Sequence, residues 1–235
     1  MRLHFQPCRD LPQLYGWLHP AGSCRRAQSI IENLKLCYSP GACSLSPHIA
    51  LCEAGLAHEL VKVDLASKAV EGSGDFRKIN PNGYVPALVL ADGTVLTEGP
   101  AILQYIADRV PERGLAPANG TLPRYQLQSL LNFIATELHK TCGPLFHPQV
   151  TEAARQQVLS LLQRRLDVVE QMLADGRLWL MGAQFTVADG YLFTVLGWTT
   201  HLKIDLAPWP AIVQLVQRIR ARQAVQAALR AEGLL

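Results

Sequence analysis

The stretch Val85-Pro-Ala-Leu-Val-Leu-Ala-Asp-Gly-Thr-Val-Leu-Thr-Glu-Gly99 decides the fold. Ala87 to Ala91 and Thr94 to Leu96 read as two short strands closed by Asp92-Gly93, a pair that favours tight hairpin turns. The Val85-Pro86 bond ahead of the first strand is a candidate cis peptide, because only proline makes that isomer accessible. Such a turn would leave the N–H and C=O of Val85 facing outward, able to pair with an extended peptide. Glu98 and Gly99 follow at the start of a helical pattern. There, unpaired N–H groups attract a carboxylate and the Glu98 side chain can take an ammonium. A ligand that is both a peptide and a free amino acid would satisfy both ends.

Upstream, Leu34-Lys-Leu-Cys-Tyr38 alternates as a short strand, and Ser39-Pro-Gly41 is a turn. Ser44 to Ala54 reads as a helix, with Pro47 near its first turn and Gly55 past its end. His58 to Asp64 is a second strand, Glu71 to Ile79 a weak helix and Asn80-Pro-Asn-Gly83 a turn. A helix from about Pro100 to Arg109 follows the hairpin. This order, βαβ, helix, ββα, predicts a mixed four-stranded sheet with helices on both faces, a thioredoxin-like α/β domain over residues 34–113.

Pro111 to Gly120 holds two prolines and two glycines and reads as a linker. Beyond it an all-α domain is expected over 121–235. Leu127, Leu130, Leu131, Ile134 and Leu138 give Arg124 to Leu145 a helical period, and Glu152 to Ala174 repeats the pattern. Thr186-Val-Ala-Asp189 is a capping box with Asp in place of Glu, heading a helix over Tyr191 to Thr200. Two more helices are expected at Ala211 to Arg222 and Ala224 to Ala231.

With 49% hydrophobic and 17% charged residues the chain is ordinary for a globular protein. Its net charge of +3 lies largely in the first 34 residues, where Arg2, Arg9, Arg25 and Arg26 face only Asp10 and Glu32. The rest is nearly neutral, which gives no electrostatic case for nucleic acid. No apolar run reaches membrane-spanning length. The six cysteines show no C-x-x-C spacing and nothing like a paired zinc motif, so no metal is expected. Free thiols in a reducing cytoplasm fit them better than a disulfide framework. Residues 1–33 mix prolines, aromatics and arginines without a period. A disordered extension, a weak targeting segment and a start codon placed too early all fit this segment.

Cys43 stands at the start of the first helix, where the partial charge and free N–H groups favour thiolate and lower its pKa. A small buried hydrophobe is the alternative reading. Cys37 and Cys52 read as structural, and Cys142 stays open. Asn132, Thr136, His139 and Lys140 share a stripe on the long helix after the linker. It is either a solvated face or a site in which a histidine beside a lysine stabilises a thiolate and holds a carboxylate. Tyr191, Trp198 and Trp209 read as core rather than substrate contacts.

Four segments together resemble the bacterial beta-class glutathione transferases: Leu36-Cys-Tyr-Ser-Pro-Gly-Ala-Cys-Ser-Leu-Ser-Pro-His-Ile49, Asn80-Pro-Asn-Gly-Tyr-Val-Pro86, Thr97-Glu-Gly-Pro100 and Phe185-Thr-Val-Ala-Asp189. The resemblance runs from Leu34 to Leu235. It implies a dimeric, cytoplasmic enzyme that uses glutathione as co-substrate, needs no cofactor, and conjugates it to a small hydrophobic electrophile. It makes Cys43 the cysteine that faces the glutathione sulfur and can form a mixed disulfide with it. Val85 would pair with the cysteinyl unit, and Glu98 and Gly99 would hold the γ-glutamyl end. Lys68, His139 and Lys140 would line the site, Asn132 would reach in from the helical domain, and Tyr38 would play a secondary part. Gly99 departs from the wider superfamily, where serine is common, so a hydroxyl contact is lost. A thiol transferase or peroxidase working through Cys43 and a non-catalytic carrier of hydrophobic ligands are the alternative functions.

Overall fold

In a computed structural model, the structure describes residues 33–71 and 74–235. The extension expected over residues 1–33 therefore falls, apart from Asn33, outside the described residues.

The sheet is built around β1 (Leu34–Tyr38). It runs parallel to β2 (His58–Lys62) and antiparallel to β5 (Ala87–Val89), which pairs antiparallel with β6 (Val95–Thr97). The order β2-β1-β5-β6 is the mixed four-stranded sheet expected. Successive β1 side chains point to opposite faces. Leu34, Leu36 and Tyr38 enter the main core beneath α1 (Leu45–Ala54) and α2 (Gly99–Arg109). Cys37 joins Val63, Val70, Phe76, Val85 and Ala87 in a smaller core on the other face.

That second face is where the structure departs from the sequence reading. Instead of a helix over 71–79 it holds a small hairpin, β3 (Ala69–Val70) with β4 (Gly74–Asp75), and a 3-10 turn at Phe76–Lys78. Val70 bridges Val63, which pulls the segment into an extended form. The Asp75 side chain accepts the Arg77 N–H at 2.9 Å, a cap that starts the tight turn. Phe76, fully buried, anchors it.

Thr121 caps α3 (Leu122–Phe133), which does not run on as the single regular helix its period suggested. It passes into a π-helical segment at Ile134–His139, the short α4 (Lys140–Cys142) and a 3-10 turn. Then come α5 (Glu152–Leu173), α6 (Val187–Leu202), α7 (Pro210–Arg220) and α8 (Gln223–Ala231). The predicted capping box is present: Asp189 accepts the Thr186 N–H at 2.8 Å and its hydroxyl at 3.0 Å, and also the Leu180 N–H at 2.8 Å. Burial pushes the Asp189 carboxyl up to about 6 in spite of these bonds.

α6 is apolar almost all round and buried, as a central helix must be. It meets α1 at Gly190, where an added Cβ would sit 3.3 Å from the Ile49 side chain. Arg124, 2% exposed, ties α3 to α2. Its guanidinium donates to both Asp108 oxygens at 2.7 and 2.8 Å and to the Pro117 carbonyl at 3.1 Å. At the far end of the chain, Arg222 pairs with Glu53 of α1 and stacks 4.1 Å over Phe185. Helix α1 is thus held by the sheet, by α6 and by α8.

Candidate active site

Cys43 lies between β1 and α1, in a turn closed by Ala42 N–H to Ser39 O at 3.0 Å and Leu45 N–H to Ala42 O at 3.0 Å. Its thiol donates to the Val85 carbonyl at 3.0 Å. The Val85-Pro86 bond is cis, as the sequence suggested. The approach to it is fixed by Asn80, a buried side chain that donates to Tyr84 O at 2.7 Å and accepts from Asn82 N–H at 3.1 Å.

The expected thiolate at Cys43 is not favoured. Burial pushes its pKa up to about 11, more than its own N–H and that of Ser44 lower it, and the Glu98 charge adds to the rise. At neutral pH Cys43 is therefore a thiol that donates a hydrogen bond. The helix N-terminus does act in the expected direction, but desolvation is larger.

Glu98 caps the start of α2 with an unusual positive-φ backbone, φ 67° and ψ 115°, and an exposed side chain. Outlying backbone of this kind gathers at ligand contacts. Gly99 follows at the first helical position, and a Cβ there would meet nothing within 4 Å. Lys68, also at positive φ, places its ammonium 5.6 Å from the centre of the Tyr84 ring, beside the Asn80–Val85 turn.

From the helical half, His139 ends the π segment, a local widening that re-aims side chains. Its Nδ1 lies 2.7 Å from the Tyr191 hydroxyl, and its ring stands edge-on to Trp198 with centroids 4.9 Å apart. Burial, then the Lys140 charge, lower the His139 pKa to about 4. The ring is uncharged at neutral pH, which corrects the expectation that its charge stabilises a thiolate or holds a carboxylate. Trp198 in turn donates its indole N–H to Gly41 O at 2.9 Å, in the turn before Cys43. Phe146 and His201 extend this aromatic wall. Tyr191 lies near enough to Cys43 and Glu98 for their charges to add to the burial that raises its pKa.

The structure thus brings Cys43 directly to Val85, with Glu98 close by, and links His139 to them through Tyr191 and Trp198. Both aromatics were read as core, and so they are: Tyr191 is 2% exposed and Trp198 packs half-buried against the same cluster, while each also contacts His139. Their spacing of seven on α6 puts them on one face, but a helix apolar all round hides which face meets a site. Trp209 is core, its N–H bonded to Asp167. Tyr38 goes elsewhere: it is buried, its ring lies 6.4 Å from His48, and burial and the Glu232 charge raise its pKa. Asn132, Thr136 and Lys140 lie exposed on the stripe, with the Thr136 hydroxyl donating to Asn132 O. No metal motif stood out in the sequence, yet the ligand atoms of His48, Cys52 and His58 fall within 4.8 Å of one another.

Comparison with known proteins supplies the family. Residues 41–109 match the model of the glutathione S-transferase N-terminal domain, and residues 133–223 that of the C-terminal domain. Glutathione S-transferase GstA of Escherichia coli O157:H7 is 48% identical over 201 residues, 86% of this chain and all of that one. The structure of a sphingomonad glutathione S-transferase complexed with glutathione superposes with a TM-score of 0.82 at 49% identity, covering 86% of this chain and all of that one. The beta-class glutathione S-transferase of Sphingomonas chungbukensis does so with a TM-score of 0.83 at 48% identity, with the same coverage. The chain belongs to the glutathione S-transferase family, in its bacterial beta class, and is a glutathione transferase enzyme. Among the described residues no helix is long and apolar enough to cross a membrane.

Proposed function

We propose that glutathione lies extended along Val85, with its γ-glutamyl end on Glu98 and Gly99 and its sulfur beside Cys43. A small hydrophobic electrophile then sits against His139, Trp198 and Phe146, with the buried Tyr191 behind them. The observation that carries this reading is the 3.0 Å bond from the Cys43 thiol to the Val85 carbonyl. It sets a sulfur-sized position next to the one amide a tripeptide would use for strand-like pairing. A carbonyl oxygen has two lone pairs, so Val85 can keep the Cys43 bond while accepting the cysteinyl N–H. Lys68 and Lys140 supply positive charge for the glycyl carboxylate, and Asn132 reaches in from α3. Tyr38, turned into the core, contributes packing rather than a contact with glutathione.

In the reaction the glutathione thiol gives its proton to solvent, the sulfur bonds to the electrophilic carbon, and a leaving group such as chloride departs with its electron pair. The free N–H groups at the start of α1 favour the thiolate, and fixing it beside the acceptor supplies the rest of the rate gain. The neutral His139 positions Tyr191 and Trp198 and takes no proton. The enzyme works as a homodimer in the cytoplasm. Conjugation of a chloronitrobenzene with glutathione tests the reading; a rate no higher than that of heat-killed protein refutes it.

The position of Cys43 favours a second, redox reading. Its sulfur would attack glutathione disulfide, forming a mixed disulfide while the other glutathione leaves as thiolate and takes up the Cys43 proton. Cys43→Ser separates the two, because conjugation largely survives it and reduction of a mixed-disulfide substrate collapses.

A further inference from the structure

His48 and Cys52 stand four residues apart and so share one face of α1. The Gly55 cap then turns the chain back, and His58 opens β2 beside them. Their ligand atoms lie within 4.8 Å of one another, and the two imidazoles meet edge-on with centroids 5.4 Å apart. Each ring is already oriented from behind. The Nδ1 of His48 lies 2.8 Å from Glu232 Oε1, and that of His58 lies 2.8 Å from the Leu56 carbonyl. A carbonyl oxygen only accepts, so His58 carries a proton on Nδ1 and can offer Nε2; His48 donates Nδ1–H to Glu232 and would offer Nε2 to a bound cation in the same way. Histidines held this way by an outer oxygen are the usual supporting arrangement of metal sites. His48 is 2% exposed while Cys52 and His58 are half-buried, so the trio is sheltered at His48 and reachable from solvent at the other two.

We propose that His48, Cys52 and His58 form a binding site for a borderline-soft cation of the Zn2+ type. Two imidazoles and one thiolate match that cation's preference, and a fourth position is left for water or an added ligand. Tetrahedral zinc asks for ligand atoms about 3.3–3.6 Å apart, so the three must close by about an ångström. A rotamer change of the half-buried Cys52, with small ring tilts that keep the Nδ1 bonds of both histidines, supplies that movement. Binding exchanges the Cys52 thiol proton, which passes to solvent, for the cation. The site shares no residue with the Cys43 site, although the other oxygen of Glu232 accepts the Gly41 N–H at 2.9 Å.

The test uses the full chain, reduced and stripped of metal, titrated with Co2+ as a coloured substitute for Zn2+. One equivalent is expected to produce sulfur-to-cobalt charge-transfer absorption that Zn2+ then abolishes. Cys52→Ser removes the band, and His58→Asn weakens binding by tenfold or more. Glu232→Gln, which leaves a single acceptor oxygen to serve the His48 Nδ1 and the Gly41 N–H, weakens it about tenfold. Cys8→Ser, Cys24→Ser and Cys142→Ser leave it intact. Absence of the band at equimolar Co2+, or a band that survives Cys52→Ser, overturns the proposal.

Discussion

Burial settles the state of the Cys43 sulfur, which keeps its proton and donates it to the Val85 carbonyl. With its pKa near 11, the thiol has on the order of 100-fold less thiolate near neutral pH than a cysteine at 9.0. Alkylation of Cys43 by iodoacetamide is therefore expected to be slow at pH 8 and still rising above pH 10; a plateau by pH 9 would contradict the burial argument. His139 makes the opposite case. Its folded value, about 4, lies below the ordinary 6.5, so its contribution to stability is complete above pH 6.5 and lost as pH falls through about 4. An NMR titration should place its midpoint near pH 4, and a midpoint near 6.5 would show a solvated ring. Gly99 has open space where a side chain would go. Gly99→Ser is expected to tighten glutathione binding roughly 5- to 30-fold by adding one hydroxyl bond to a charged group, read as a fall in the glutathione KM.

At the scale of elements, the turn before β5 and the crossing of α1 and α6 carry the site. Asn80→Ala leaves the Tyr84 carbonyl and Asn82 N–H without their partner. It should cost about 1–3 kcal/mol in denaturant unfolding and weaken glutathione binding as the Val85 amide loosens. The hairpin and the capping box were legible because their signals are local: Asp92-Gly93 and Thr186 with Asp189 make their own turn and cap. The helix expected over 71–79 was not legible, because Val70 pairs with Val63 and Phe76 is drawn into the core, contacts a local pattern does not contain. The sign of the Cys43 shift failed for the same reason, since burial belongs to the packed molecule. Tyr191 and Trp198 were legible as core, but their contacts with His139 were hidden on a helix with no polar face. His48, Cys52 and His58 were hidden because the third comes from another element.

Across the whole molecule, α1 is the common support. It starts at the Cys43 turn, lies on the sheet, receives Gly190 of α6 against Ile49, and is tied to the last helix through Glu53 and Arg222. The sheet half and the helical half are further joined through Arg124, which pairs with Asp108 of α2. Arg124→Met is expected to destabilise the chain by about 2–3 kcal/mol, since it removes the pair with Asp108 and the bond to Pro117. Thermal unfolding reads this loss, and an unchanged midpoint would mean that packing alone joins the halves. The most direct test of the account is a calorimetric titration of glutathione into the full chain alongside its Glu98→Ala variant. The account predicts saturable binding of one tripeptide per chain, weakened tenfold or more by the substitution. No heat of binding at millimolar glutathione, or equal affinity in the variant, would contradict it.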